Sequence, residues 1–153
     1  MMGTEPAPSE KVVLIVPCSG LGKSYGTVSR EVAFEVTERL RPGASALMPL
    51  SLLVMGDDDA RSLVAESPAI VIDGCKLACA SKMVVESGGQ VVRAFAVMDA
   101  HRRHRDLKPQ GVAQLNEAGE ELARVMAGEI AEEIDRLGLS ARSACESEGD
   151  SDA

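Results

Sequence analysis

The sequence predicts a three-layer α/β/α sandwich with a mostly parallel sheet of about four strands. Three observations carry this. Short apolar, β-branched runs recur at residues 12–16, 70–72 and 91–97. Gly, Pro or Asp residues end most of these runs. Stretches of helical period lie between them. Continuous apolar runs of this length suit strands buried on both faces. Strand–helix alternation then implies parallel pairing through helical crossovers.

The elements follow in order. "VVLIV", residues 12–16, is the first strand, and it empties into "PCSGLGKS". Residues 25–40 carry Val28, Val32, Phe34, Val36 and Leu40 near helical spacing, and Pro42-Gly43 stops that helix. Residues 46–55 are apolar and read as a strand running into a turn, with Pro49 barring a central strand throughout. Gly56-Asp57-Asp58-Asp59 opens a helix, its acids suited to the positive helix end, with Leu63 and Val64 as the buried face. Residues 68–72 form a second buried strand ended by Asp73-Gly74-Cys75, and a helix over 76–86 stops at Gly88-Gly89. A third buried strand covers 91–98, and 99–110 reads as a polar loop. The longest helix covers 112–137, with Leu115, Ala118, Leu122, Val125, Met126, Ile130 and Ile134 at steps of three and four.

The 153 residues suffice for one domain with a real core. That core must be aliphatic, because the chain has no Trp, one Tyr and two Phe. The expected organisation is a flexible N-terminus over 1–10, an α/β domain over 11–137, and an acidic disordered tail over 138–153. The end of that tail, "SACESEGDSDA", is acidic, Ser-rich and non-periodic. Net charge is −8, which leaves no basic stripe for nucleic acid. No stretch approaches the ~20 apolar residues of a membrane span, so no membrane partner is expected. The first ten residues lack a signal-peptide pattern, so a cytoplasmic location is expected, with reduced, metal-bound or catalytic cysteines rather than disulfides. The long helix reads as sheet cover, with a homo-oligomer interface as the lesser alternative.

Two readings compete for the first loop. Gly22-Lys23-Ser24 matches the end of a phosphate-binding loop, but Pro17 stands where that pattern needs its first Gly. Proline can neither take positive φ nor donate an N–H. A weaker anion site at Gly20, Gly22, Lys23 and Ser24, serving an unknown small molecule or anion, stays open beside a plain strand-to-helix turn. The second reading is a loop that presents the Cys18 thiolate. Its support is "AIVIDGCKLACASK", residues 69–82. Cys75 is expected at a helix start, where free N–H groups and the dipole favour a thiolate. Cys79, four residues on, would share its helix face. If the first two buried strands are neighbours, Cys18, Cys75 and Cys79 converge at the carboxyl edge of the sheet, where open α/β sheets bind ligands. Zinc, at ~2.3 Å from each sulfur, would suit them. Asp73 reads as a helix cap, or else as an occupant of a fourth ligand position or a support beside the ligands. Asp99, His101 and His104, with Arg102 and Arg103, read as a solvated loop, and Cys145 as an incidental thiol.

"PCSGLGKSYGTVSRE" together with "VIDGCKLACASK" resembles the DGC-domain family, whose members pair a Cys-Ser-Gly loop with a later Asp-Gly-Cys-x-x-x-Cys-Ala. The resemblance spans about 11–137. It implies an α/β domain with four cysteines thought to bind zinc, and no particular reaction. Cys18, Cys75 and Cys79 match three of the four, and Pro49 stands about where the fourth would be. Three protein ligands with one open position is how catalytic zinc is held. The expected function is therefore a zinc-binding protein. The alternative is a thiol redox or sulfur-transfer enzyme with Cys75 as nucleophile and Cys18 or Cys79 as resolving partner.

Overall fold

A computed structural model describes residues 12–18, 20 and 22–149 of the chain. Four strands, β1 (Val13–Pro17), β2 (Ser45–Leu47), β3 (Pro68–Asp73) and β4 (Gln90–Ala96), form one sheet in the order β2-β1-β3-β4, and every pair is parallel. Around them lie α1 (Ser24–Phe34), α2 (Leu50–Val54), α3 (Asp58–Glu66), α4 (Cys79–Glu86), α5 (Val97–Arg103) and α6 (Glu117–Gly149).

The alternation of side chains along β1 and β3 sorts the core into two halves. Val13, Ile15, Ile70 and Ile72 pack under α1, α5 and α6. Leu14, Val16, Ala69 and Val71 pack under α2, α3 and α4. Both halves are aliphatic, and both central strands are buried on each face. The three layers expected from the sequence are therefore present.

Several elements differ from expectation. The first helix changes to a π-helical turn at Glu35–Leu40, closed by the Arg41 N–H on the Val36 carbonyl at 2.8 Å, and Phe34 faces solvent. Pro49 caps a short helix, so the apolar run after Leu47 is α2 rather than strand. Asp57 caps α3 as read, its side chain accepting from the Ala60 N–H at 2.9 Å. The buried face of α3 is Ala60 and Val64, with Leu63 exposed.

The third buried run is an edge strand instead. β4 pairs only with β3, a register irregularity at Ala69/Ile70 skips Val92, and Arg93 and Ala94 are exposed. The polar segment expected as a loop begins with α5. α6 starts at Glu117 because Asn116 caps it, its Oδ1 accepting from the Gly119 N–H at 2.9 Å. The helix then runs through Gly149, past the expected boundary at 137 and into the stretch read as a disordered tail. Ala, Arg, Glu and Ser there are all tolerated in a helix, and acidic composition alone does not break one. The expected flexible N-terminus and residues 150–153 lie outside the described residues.

No helix among the described residues is long and apolar enough to cross a membrane.

Candidate functional site

The sheet order reverses between β1 and β3: the chain leaves β1 for β2 on one side and later returns to β3 on the other. Ligands of open α/β sheets bind at the carboxyl end of such a switch point. The two Cys-bearing loops flank it, as expected from the sequence. Cys18 directly follows β1, its N–H donating to the Ile72 carbonyl of β3 at 2.9 Å. Gly74 directly follows β3, and its N–H donates to the Cys18 sulfur at 3.2 Å.

Three glycines allow this closeness. A side chain on Gly20 would run into the Gly26 backbone, and one on Gly26 would run into Gly20. A Cβ on Gly74 would lie 3.2 Å from the Gly26 nitrogen and 3.3 Å from the Cys18 sulfur. The first loop, the first turn of α1 and the loop after β3 therefore meet backbone to backbone. Gly20 also needs its freedom for a φ of +52°, and Gly22 for +83°.

Cys18 is buried, with its sulfur 3.3 Å from the Ser29 Oγ of α1. Ser29 in turn donates to the Gly26 carbonyl at 2.6 Å. Ser29 was not singled out by its sequence pattern. The available signal was a small hydroxyl beside Val28 and Val32 on an otherwise apolar helix face.

The Cys75–Cys79 pair is not arranged as the spacing suggests. α4 begins at Cys79, and Cys75 sits in the preceding turn, where the Ala78 N–H donates to the Cys75 carbonyl at 3.2 Å. Ala78 takes a left-handed conformation with φ +52° and redirects the chain. The two sulfurs therefore do not share a helix face. Cys75 is half-buried and Cys79 exposed. Among the described residues, no three His, Cys, Asp or Glu side chains are gathered as a metal site. The expected three-way convergence is absent for that reason: the turn replaces the first turn of helix.

Asp73 is buried, and its carboxylate belongs to α4. Oδ1 accepts from the Ala80 N–H at 2.8 Å, and Oδ2 from the Ser81 N–H at 3.3 Å and the Ser81 hydroxyl at 2.6 Å. The formal cap residue, Ala78, has no side chain to do this. Asp73 is thus a cap acting from the end of the neighbouring strand, and both of its oxygens are occupied.

Lys23 is exposed and occupies the cap position of α1 without a side-chain cap bond, Ser24 opens the helix, and the Lys23 N–H reaches the Gly20 carbonyl at 3.4 Å. This is a tight strand-to-helix turn, while Ser19 and Leu21 lie outside the described residues. Asp99 and His101 lie on α5, and His104 caps its end. His101 is half-buried, its Nδ1 3.3 Å from the Tyr25 hydroxyl and its Nε2 without a partner among the described residues.

The family model for the DGC domain matches residues 14–127, from the second residue of β1 through the first third of α6. The chain belongs to the DGC-domain family. Both Cys motifs, the switch point and all four strands but the first residue of β1 fall inside the matched DGC segment. No curated protein and no solved structure matches the chain.

The DGC assignment raises the question of whether these residues suit zinc. The loop that carries Cys75 touches Cys18 through Gly74, whose N–H points at the Cys18 sulfur, the kind of hydrogen bond that supports a metal-bound thiolate. Those features fit. Asp73 does not fit as a ligand, because α4 already holds both its oxygens. Cys79 fits only if the turn 74–78 changes shape.

Proposed function

We propose that this DGC-domain protein binds a thiophilic divalent metal ion, zinc foremost, at the switch point, with Cys18 and Cys75 as its first ligands and Cys79 as a third brought in by the turn 74–78. The observation that supports this best is the Gly74 N–H on the buried Cys18 sulfur, which holds the Cys75 loop against the end of β1. Two or three protein thiolates leave a position for water or a small ligand, as in catalytic rather than structural zinc sites. Bound there, zinc would supply Lewis acidity toward a small anionic or carbonyl substrate. The chain's own residues orient the site. Ser29 fixes the Cys18 side chain from α1, and the Asp73 bonds hold Ala80 and Ser81 while Cys79, just ahead of them, moves with the turn. A reducing, cytoplasmic compartment suits three free thiols. Net charge of −8 favours a small-molecule partner over nucleic acid.

Metal analysis of untagged protein, followed by zinc titration, tests the reading. Wild-type protein should take up one zinc, Cys18→Ser and Cys75→Ser should lower uptake, and Lys23→Ala should not. Uptake should weaken as pH falls, because the thiolates must lose protons to ligate. Stoichiometric zinc in Cys18→Ser, or none in the wild type, would refute it.

One observation favours a second reading, thiol chemistry at Cys75. Cys75 lines a cavity of about 340 Å³ together with Lys76, Ser81, Phe95 and Arg102 at the carboxyl ends of β3 and β4. Asp73 and Asp99 share this lining and Asp99 pairs with Arg102 at 3.4 Å, so the half-buried thiol, with Lys76 beside it, suits attack on a small electrophile, with Cys18 or Cys79 as resolving partner. A metal-free wild type whose Cys75 alkylates faster than the more exposed Cys79 would select this reading over zinc.

A further inference from the structure

The geometry points to a second ligand site, on the β2 side of β1, that takes a small aliphatic monocarboxylate. It goes beyond the proposed metal site and does not rest on it.

A cavity of about 250 Å³ opens at the carboxyl ends of β1 and β2. Its walls are apolar, with Pro17, Phe34, Leu47, Pro49 and Leu50 among them. The cation lining it is Arg30 of α1. Arg30 is half-buried. Arg39, Arg41 and Arg103 each hold a carboxylate, whereas no carboxylate lies within ion-pair distance of Arg30 among the described residues. One guanidinium N–H reaches the Thr27 hydroxyl at 3.3 Å, which steadies the side chain but leaves its charge uncompensated. A cation taken partly out of water costs free energy until an anion meets it.

The rim supplies the second observation. Phe34 is 42% exposed and Leu47 36% exposed, and both are large hydrophobics standing at this cavity. Their surface would be covered by an apolar ligand body.

The ligand class follows from these features. One guanidinium matches one carboxylate through two parallel N–H···O bonds. A phosphate dianion would need more donors than the cavity offers, because Ser51 is the one hydroxyl beside Arg30 in its lining. A cavity of about 250 Å³ has room for a ligand of at least about eight heavy atoms. Hexanoate has that size. Cys18 also lines the cavity, so a carboxylate there would sit beside one of the proposed metal ligands.

Calorimetric titration of hexanoate into the full chain, reduced and metal-free, tests the site without involving zinc. Saturable one-site binding is expected. Hexanol, of the same shape without charge, should bind at least about tenfold more weakly, since a hydrogen bond to a charged group contributes ~1.5–3 kcal/mol and 1.4 kcal/mol is tenfold. Arg30→Gln should weaken hexanoate by a similar factor, Leu47→Trp should abolish binding by filling the cavity, and inorganic phosphate should not compete. If Arg30→Gln does not fold, the hexanol comparison on wild-type protein decides. Absence of saturable hexanoate binding, equal binding of hexanol, or a folded Arg30→Gln that binds as wild type would each overturn the inference. Failure of zinc uptake would leave all these results unchanged.

Discussion

Replacing Asp73 by Ala should destabilise the protein by about 2–4 kcal/mol. The carboxylate is buried and accepts three hydrogen bonds from the first turn of α4. Loss of a helix cap alone costs ~1 kcal/mol. Here the Ala80 N–H would also be left without an acceptor in the interior, which adds ~1–3 kcal/mol. α4 is only eight residues long and has no other side-chain cap, so little else keeps its first turn formed. For a chain of this size each kcal/mol lowers Tm by ~2–4 °C, so the variant should melt roughly 5–15 °C lower. Asp73→Asn keeps one acceptor oxygen for the Ala80 N–H and should lose about half as much. Urea denaturation with amide exchange at Ala80 and Ser81 measures both the total and its location. A change within about 0.5 kcal/mol of wild type, the range of ordinary surface substitutions, would refute the capping account. So would a large loss with unchanged protection in α4.

Other outcomes follow from the same structure. Gly74→Ala should cost ~1–3 kcal/mol by overpacking against Gly26 and the Cys18 sulfur, measured by thermal melting with free-thiol accessibility. Leu122→Ala, at a fully buried position of α6, should cost ~2–5 kcal/mol in chemical denaturation. Arg41 grips Asp135 through two bonds of 2.7 and 2.6 Å, and this hydrogen bonding from Arg41 lowers the Asp135 pKa below its ordinary value. Because the folded pKa is depressed, the pair's contribution is present above the unfolded carboxylate value of ~3.9 and is lost as pH falls through the lower folded value. Exposure of both partners keeps it to about 0.2–1 kcal/mol, so Asp135→Asn should differ slightly from wild type at pH 7, and the difference should shrink as pH falls into the acid range.

What the sequence made legible depended on whether a residue's neighbours in the chain were also its neighbours in space. β1 and β3 stand out because both faces are buried, which leaves an unbroken apolar run. α3 was readable because its cap, Asp57, is adjacent to the helix it serves. β4 misled because an edge strand can carry the same Val-rich composition while half of it meets solvent. The start of α4 misled more. Nothing in "DGCKLACAS" announces that an alanine will take a left-handed turn, and the spacing of Cys75 and Cys79 looks helical. The cap that makes such a turn possible comes from Asp73, six intervening residues before Ala80. At the site, proximity of Cys18 to the second motif followed from strand order. Ser29 and Arg30 did not, since each matters only through what α1 packs against.

The bonds from Asp73 to Ala80 and Ser81 have a further consequence. They join the end of β3 directly to the start of α4, so residues 74–78 form a stapled loop whose two ends are fixed independently of what lies between them. Such a segment can be shortened, lengthened or exchanged at modest entropic cost, because its closure is already provided. Gly74 is bound to the Cys18 sulfur and so belongs to the fixed part. Residues 75–78 are then the replaceable part, and a protein engineer could graft a different ligand-binding sequence there while sheet, helix and first cysteine stay where they are.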